Sequence, residues 1–288
     1  VPAAAPPLES RFIDAQGLAL HVRHRPMGGD GPPAVLFLHG WLDHSHSFDP
    51  VLPHLPEWRL VLLDFRGMGR SGHVGGGGTY HFSDYALDVE SALDGLGLKE
   101  AHLVGHSLGG IVSLAYAAAR PERVKSVSLI ESLGPSGGAP AAALERLRSF
   151  LNDSHRPPNR KRYASVEDAA ARLRENNPSL PEAAALLLAR HGTEPFEGGV
   201  AFTFDPRHRR RFGMAHDEAQ WLAVQSGVTC PVQLIRGSDG LVPAEAVLKR
   251  RLEALPTLAG PPVVIPGGHH VHMEQPEAVA GALARFIR

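Results

Sequence analysis

An apolar, strand-type run, Ala101-His102-Leu103-Val104, leads directly into Gly105-His106-Ser107-Leu108-Gly109. A proline-free, alanine-rich run from Gly110 to Ala119 then carries helical character. A strand that turns this abruptly into a helix needs small residues two positions before and two after the serine at its tip. The turn pushes the Ser107 hydroxyl into the open. It also places the Leu108 N–H at a helix N-terminus, where partial positive charge favours a developing oxyanion. G-x-S-x-G occurs often by chance, but this strand and helix around it make Ser107 a candidate nucleophile rather than part of an ordinary glycine-rich turn. The junction also constrains the fold, since strand–helix units of this kind build parallel sheets with helices on both faces.

The rest of the chain follows that architecture. Leu18 to Arg25 has strand character, with Phe12 and Ile13 as hairpin partner across Ala15-Gln16-Gly17. Ala34 to Leu38 and Leu60 to Leu63 are continuous apolar runs, as expected of strands buried on both faces. Tyr80 to Leu98 is helical, with Tyr85, Val89, Ala92, Leu93 and Leu96 as its apolar stripe. Val124 to Ile130 is a further strand. From about Leu133 to Val228 the pattern changes to helical windows at Ala141–Leu151, Val166–Asn176 and Pro181–His191, with a strand only at Gly199 to Phe204. Strand–helix alternation then resumes at Val232 to Ile235 and ends with a helix from Pro276 to Ile287. The expectation is an α/β fold: a mostly parallel, eight-stranded, doubly wound sheet with a mainly helical cap inserted after the sixth strand. Residues 1–10 are expected to be a flexible leader, 11–132 and 229–288 the core domain, and 133–228 the cap, seated over the crevice where such sheets bind ligands.

Composition narrows the partners. A net charge of −1 over 288 residues gives no reason to expect nucleic acid or an anionic membrane. No run approaches the roughly 18 apolar residues of a membrane span. The single cysteine, Cys230, excludes an intramolecular disulfide framework; it fits a cytoplasmic protein and a buried structural thiol.

A serine nucleophile needs a general base, and position must choose among 17 histidines. Pro266-Gly267-Gly268-His269-His270-Val271-His272 follows the last strand, the third place in the Ser–acid–His order. His269 is the expected base, because the preceding glycines make a tight loop over the sheet edge; His270 is the alternative. The acid has two candidates: Asp239, just after the penultimate strand, and Glu131, at the end of Val127–Ile130. A second oxyanion donor is expected at the Trp41 N–H beside that of Leu108, with Trp41 and His106 in the substrate pocket. His39 is expected to bond loop carbonyls. Asp64-Phe65-Arg66-Gly67-Met68-Gly69-Arg70-Ser71 is read as a compact structural loop with an Asp–Arg pair; it lacks the third glycine of a dinucleotide fingerprint. Gly75 to Gly78 is read as a flexible loop, and Arg207-His208-Arg209-Arg210-Arg211 as a solvated cap face. His44-x-His46 and His269-His270-x-His272 lack the accompanying pattern of a hydrolytic metal site, so no metal and no cofactor are expected.

Together, His39-Gly40-Trp41, the Asp64 to Ser71 loop, Gly105-His106-Ser107-Leu108-Gly109 and His269-x-x-His272-x-x-Gln275-Pro276-Glu277 resemble the α/β-hydrolase fold superfamily, over nearly the whole chain. Within it, His39-Gly40-Trp41-Leu42-Asp43 with Ser47-Phe48-Asp49, Gly268 to Met273, and Leu186 to Thr193 are most similar to the serine hydrolase-like proteins. That family's substrates are poorly defined, so the resemblance bears on mechanism. It implies a cofactor-independent serine hydrolase that forms an acyl-enzyme on small or medium carboxylic esters. The same triad serves C–C bond, lactone or amide hydrolysis, and a catalytically silent binding protein is the non-enzyme alternative. The resemblance also favours Glu131 slightly over Asp239, because the family keeps a carboxylate at that strand end, as haloalkane dehalogenases similarly do. Dehalogenation is not implied: Ser107 stands where that chemistry uses an aspartate, and Leu108 replaces the halide-binding tryptophan.

Overall fold

The computed structural model describes residues 8–287 apart from 26–31, 77, 136, 138, 155–158, 211–215, 242 and 244. The main sheet contains β1 (Glu9–Ala15), β2 (Leu18–His24), β3 (Ala34–Leu38), β4 (Arg59–Leu63), β5 (Ala101–His106), β6 (Val124–Ile130), β9 (Val232–Gly237) and β10 (Val263–Ile265). Their order is β1-β2-β4-β3-β5-β6-β9-β10, and only β2 runs against the other seven. Of the expected leader, residues 1–7 lie outside the described residues. Glu9 and Ser10 are already in β1, paired with His24 and Arg23, because the hairpin pairs along the whole of β2.

Alternation along each central strand divides the core into two layers. Leu36, Leu38, Leu103, Val127 and Leu129 pack with residues of α1 (Phe82–Gly95) and α2 (Leu108–Ala119). Val35, Phe37, Leu62, Val104 and Ile130 face the other way, toward α9 (Pro276–Phe286) and the segment around Phe48 and Val51. Both faces are covered, so these strands read as unbroken apolar runs. Cys230 is buried, and burial pushes its thiol up to about 11.

Between β6 and β9 stand α3 (Ala143–Ser154), α4 (Val166–Asn176), α5 (Glu182–Gly192), β7 (Thr193–Phe196), β8 (Gly199–Phe202) and α6 (Glu218–Ser226). Tyr163, Ala169, Ala185 and Leu188 form a small core of their own, joined by Met273. The expected strand at Gly199 to Phe204 is β8, and it has a partner that the sequence hid. Pro195 disguises β7, which pairs through a two-residue turn at Glu197 (φ 48°) and Gly198 (φ 73°), a shape suited to hairpins. Helix α6 was also not expected; Asp217 caps it by accepting from the Gln220 N–H at 2.8 Å.

The basic run is only partly a solvated face: Arg209 is exposed, but Arg207 and His208 turn inward. Arg207 pairs with Asp205 at 2.6 Å and donates to the Gly75 carbonyl at 2.6 Å. Tyr80 donates to the same aspartate at 2.8 Å. His208 is buried, stacked 3.7 Å from the Tyr80 ring, and burial holds it down to about 4, so it is neutral. These contacts seat the inserted segment on the loop before α1, so the carbonyls of the glycine tract serve as acceptors. Gly77 and Arg211 lie outside the described residues.

Arg66 makes its ion pair with Asp88 of α1, at 2.7 Å, rather than within its own loop. Asp64 instead accepts from the N–H groups of Ser45 and Arg70, at 2.7 and 3.0 Å, and bonds the His21 ring at 2.7 Å. Two further helices are α7 (Glu245–Glu253) and α8 (Val271–Glu274), and the loop from β10 into α8 carries the histidines.

Candidate active site

Ser107 sits in the gap between the end of β5 and the start of α2 with φ 50° and ψ −114°. For a residue with a side chain this is a strained conformation. It is held by the Ser107 N–H donating to the Ile130 carbonyl at 3.0 Å, and by the Ser132 hydroxyl donating to the Ser107 carbonyl at 2.7 Å. Gly109 lets β3 press against this turn. A Cβ there would overlap the main chain of Leu38, and the Gly109 N–H donates to the His39 carbonyl at 3.1 Å.

That contact brings Gly40 beside Ser107, where an added Cβ would lie 3.6 Å from the serine Cβ, and Trp41 follows it in the chain. His39 is fixed in one tautomer, donating from Nδ1 to the Gly40 carbonyl at 2.7 Å and accepting the Phe65 N–H at Nε2 at 3.0 Å. Burial lowers its pKa, in keeping with a neutral structural ring. Among the described residues, neither the Leu108 N–H nor the Trp41 N–H has a hydrogen-bond partner. An unpaired donor next to a serine is suited to receiving an oxyanion. The Trp41 indole does not line the cavity above Ser107. The chain turns at Leu42 (φ 58°) and leaves the indole half exposed.

His269 stands in the β10–α8 loop with Nδ1 3.4 Å from Glu131 Oε2. Glu131 also has a left-handed backbone, φ 51°, and its side chain is 1% exposed. Its carboxylate accepts the N–H groups of Gly237 at 2.6 Å and Leu241 at 2.7 Å. Gly240 is needed there, because any Cβ would fall on that carboxylate. The loop that offered Asp239 as an alternative acid is therefore the cradle of Glu131. Asp239 itself is exposed, and among the described residues its side chain accepts only from the Ser238 hydroxyl at 2.9 Å and makes no bond to His269. Ser107, Glu131 and His269 line one cavity of about 410 Å³, together with Arg236 and Leu241.

His106 is not in that cavity. As the last residue of β5 it turns under the histidine loop, 1% exposed, and donates from Nε2 to the His269 carbonyl at 2.9 Å. Its ring lies 4.8, 5.2 and 4.3 Å from those of His269, His270 and His272. Burial first, then the neighbouring histidines, hold it well below the ordinary value, so it braces the loop as a neutral ring. His272 is wholly buried beside Phe48, with no partner at either ring nitrogen.

Two supports of the histidine loop were not foreseen. Asn177, just after α4, donates to His270 Nδ1 at 2.7 Å. Ser179 donates to Glu274 Oε1 at 3.0 Å, and Glu274 Oε2 accepts the Gly268 N–H at 2.7 Å. No local pattern in the sequence announces contacts across more than 90 residues. Away from the cavity, His46, Asp49 and His191 bring possible metal-ligand atoms within 4.8 Å of one another. The His46 and His191 rings are stacked at 3.6 Å, and Arg23 holds the second Asp49 oxygen at 2.7 Å.

Residues 33–276 match the family model described as alpha/beta hydrolase fold. The chain belongs to this family. A protein named serine hydrolase-like protein, from Danio rerio, is 32% identical over 268 residues, covering 88% of this chain and 81% of its own. The 2-(acetamidomethylene)succinate hydrolase of Mesorhizobium japonicum is 30% identical over 96% of this chain and 95% of its own. A hypothetical protein of Pseudomonas aeruginosa, known as a crystal structure, superposes with a TM-score of 0.86 at 34% identity, covering 96% of this chain and 97% of that one. The chain is thus an alpha/beta hydrolase with serine hydrolase-like relatives. No helix among its described residues is long and apolar enough to cross a membrane.

Proposed function

We propose that this alpha/beta hydrolase cleaves carboxylic esters of small to medium size through Ser107, His269 and Glu131. The observation that carries this reading is the convergence on one cavity of a serine on a strained turn and a histidine facing a buried carboxylate, with the unpaired Leu108 N–H next to the serine. Ser107 Oγ attacks the ester carbonyl while His269 Nε2 takes its proton. Glu131 stabilises the imidazolium, and the N–H groups of Leu108 and Trp41 hold the oxyanion. Collapse expels the alcohol with the proton from His269, leaving an acyl-serine. Water, deprotonated by the same ring, then releases the acid. No metal or cofactor enters these steps. Residues 133–228 act as a cap over the crevice, with 11–132 and 229–288 as the hydrolase core. In the free state Ser107 Oγ and His269 are not hydrogen-bonded, and such contacts often tighten only when substrate is bound.

The test is labelling by a fluorophosphonate together with p-nitrophenyl ester hydrolysis. Ser107→Ala is expected to abolish both, and a purified, folded variant that keeps most of its activity refutes the assignment. A second reading, amide cleavage by the same groups, is favoured by the Mesorhizobium relative, whose name denotes hydrolysis of an acetamido compound. Parallel assays on matched ester and amide substrates distinguish the two.

A further inference from the structure

The wall of the same cavity carries a charge that the chemistry above does not use. Arg236 lies near the end of β9, two residues beyond Leu234, so both project from one face of the sheet, and both line the cavity with Ser107 and His269. Arg251, the other arginine on this wall, is buried and fully engaged. It pairs with Glu218 at 2.6 Å and donates to the Pro135 carbonyl at 2.7 Å.

Arg236 differs. Among the described residues its guanidinium has no ion pair and no hydrogen bond, and its Nε is sealed from solvent with no acceptor. Glu131, the carboxylate on the same wall, is already occupied by two main-chain N–H groups and His269. A guanidinium stays charged throughout the working pH range and presents a planar fork of donors. Buried donors in native proteins nearly always have an acceptor, so the missing one is itself a signal. Ile111, Leu133, Val247 and Leu248 make the surroundings apolar, which strengthens an ionic contact formed there.

We infer that the substrates of this site carry a carboxylate remote from the scissile ester, and that Arg236 receives it as a bidentate partner. The preferred substrate class is then the half-ester of a dicarboxylic acid, with its free acid end on Arg236 and its ester carbonyl at Ser107. Planar carboxylate and fork match each other, and the fixed second point of attachment orients the ester. This inference rests on the proposed serine hydrolase reading.

The test uses the full chain and a pH-stat at pH 7.5. Monoethyl esters of the C4 to C8 dicarboxylic acids are each compared with a neutral ethyl ester of the same shape, such as monoethyl adipate with ethyl 6-methylheptanoate. The wild type is expected to favour the half-ester by at least about tenfold in kcat/KM at the best length. A hydrogen bond to a charged group contributes on a scale of about ten- to a hundredfold. Arg236→Met is expected to reduce that selectivity by this factor, mainly through KM, and Arg236→Lys to restore part of it. Equal or better cleavage of the neutral ester at every length overturns the inference, as does an unchanged selectivity in Arg236→Met. Failure of the two readings is distinguishable. No ester cleavage and no fluorophosphonate labelling removes the hydrolase mechanism, whereas cleavage of neutral esters without preference for half-esters removes only the role of Arg236.

Discussion

Replacing Glu131 by glutamine tests the site at its most constrained point. Three N–H donors converge on the carboxylate: Gly237 at 2.6 Å, Leu241 at 2.7 Å and His269 Nδ1 at 3.4 Å. Glutamine offers one oxygen. With it in the Oε2 place the amide keeps Leu241 and still faces His269, while its NH₂ meets the Gly237 N–H donor to donor. The opposite orientation loses two contacts instead of one. Loss of one buried bond to a charged group costs about 1.5–3 kcal/mol of stability.

The kinetic loss is larger. An imidazolium and a carboxylate 3.4 Å apart attract by about 5 kcal/mol at an effective dielectric near 20. At about 1.4 kcal/mol per decade this is roughly three and a half decades. The amide dipole retains part of the attraction, so kcat is expected to fall by about 10²–10³. The assay is p-nitrophenyl butyrate hydrolysis at pH 7.5, with circular dichroism melting to confirm that each variant is folded. Asp239→Asn, at an exposed side chain, is the matched control and is expected to stay within about twofold. If Glu131→Gln keeps more than a tenth of the wild-type kcat, or if Asp239→Asn falls as far, the reasoning fails.

The remaining predictions concern supports and pH. Asn177→Ala leaves the half-buried His270 Nδ1 without its donor and is expected to cost about 1–2 kcal/mol of stability. Because His270 adjoins His269, kcat should also fall several-fold more than KM changes, and a variant altered only in melting temperature would make Asn177 purely structural. Burial and neighbouring histidines hold His106 and His272 well below the ordinary value; burial holds His208 down to about 4, and burial with Lys125 does the same to His102. Between about pH 6.5 and 4 the unfolded chain therefore binds more protons than the folded one. Stability is present above that window and falls as pH drops through it, by up to ~1.4 kcal/mol per pH unit per histidine. Asp88, which burial pushes up to about 6, opposes this with a single group. The urea midpoint is expected to be clearly lower at pH 5 than at pH 7, and equal midpoints would contradict the account.

The central strands were legible because their environment is uniform. A run such as Val35 to Leu38, apolar at every position, has few alternatives to a strand covered on both faces. Gly105 to Gly109 was legible because the turn demands small residues at fixed offsets. The inserted segment was less so, since β7 contains Pro195 and its pairing depends on a turn with left-handed residues at Glu197 and Gly198. The inward turn of Arg207 is not legible in the basic run, because composition alone does not reveal that Asp205 and the glycine-tract carbonyls lie opposite it. His106 and Trp41 were placed in the pocket from their neighbours in sequence, but side-chain direction at a strand end and after a turn is set by tertiary packing. Arg236 did leave a trace, a charged residue directly following the apolar run Val232 to Ile235.

The proposal of Glu131 as the acid is supported by how the two strained residues are joined. Ser107 and Glu131 are both left-handed without being glycine, each at a cost of order 1–3 kcal/mol, and each immediately follows a strand residue paired with the other strand, His106 with Ile130. Glycine at either position would relieve the strain but remove the proposed nucleophile or acid. The Ser107 N–H donates to the Ile130 carbonyl, the Glu131 N–H to the Ile235 carbonyl, and the Ser132 hydroxyl back to the Ser107 carbonyl. The proposed nucleophile and acid are therefore fixed to each other by two adjacent parallel strands, and of the three proposed groups only His269 arrives on a loop. An acid at position 239 would ride on a second loop, leaving two of the three groups to be positioned independently. With Glu131 as the acid, the single adjustable element is the histidine loop. The contacts of Asn177 with His270, and of Ser179 and Gly268 with Glu274, hold that same loop.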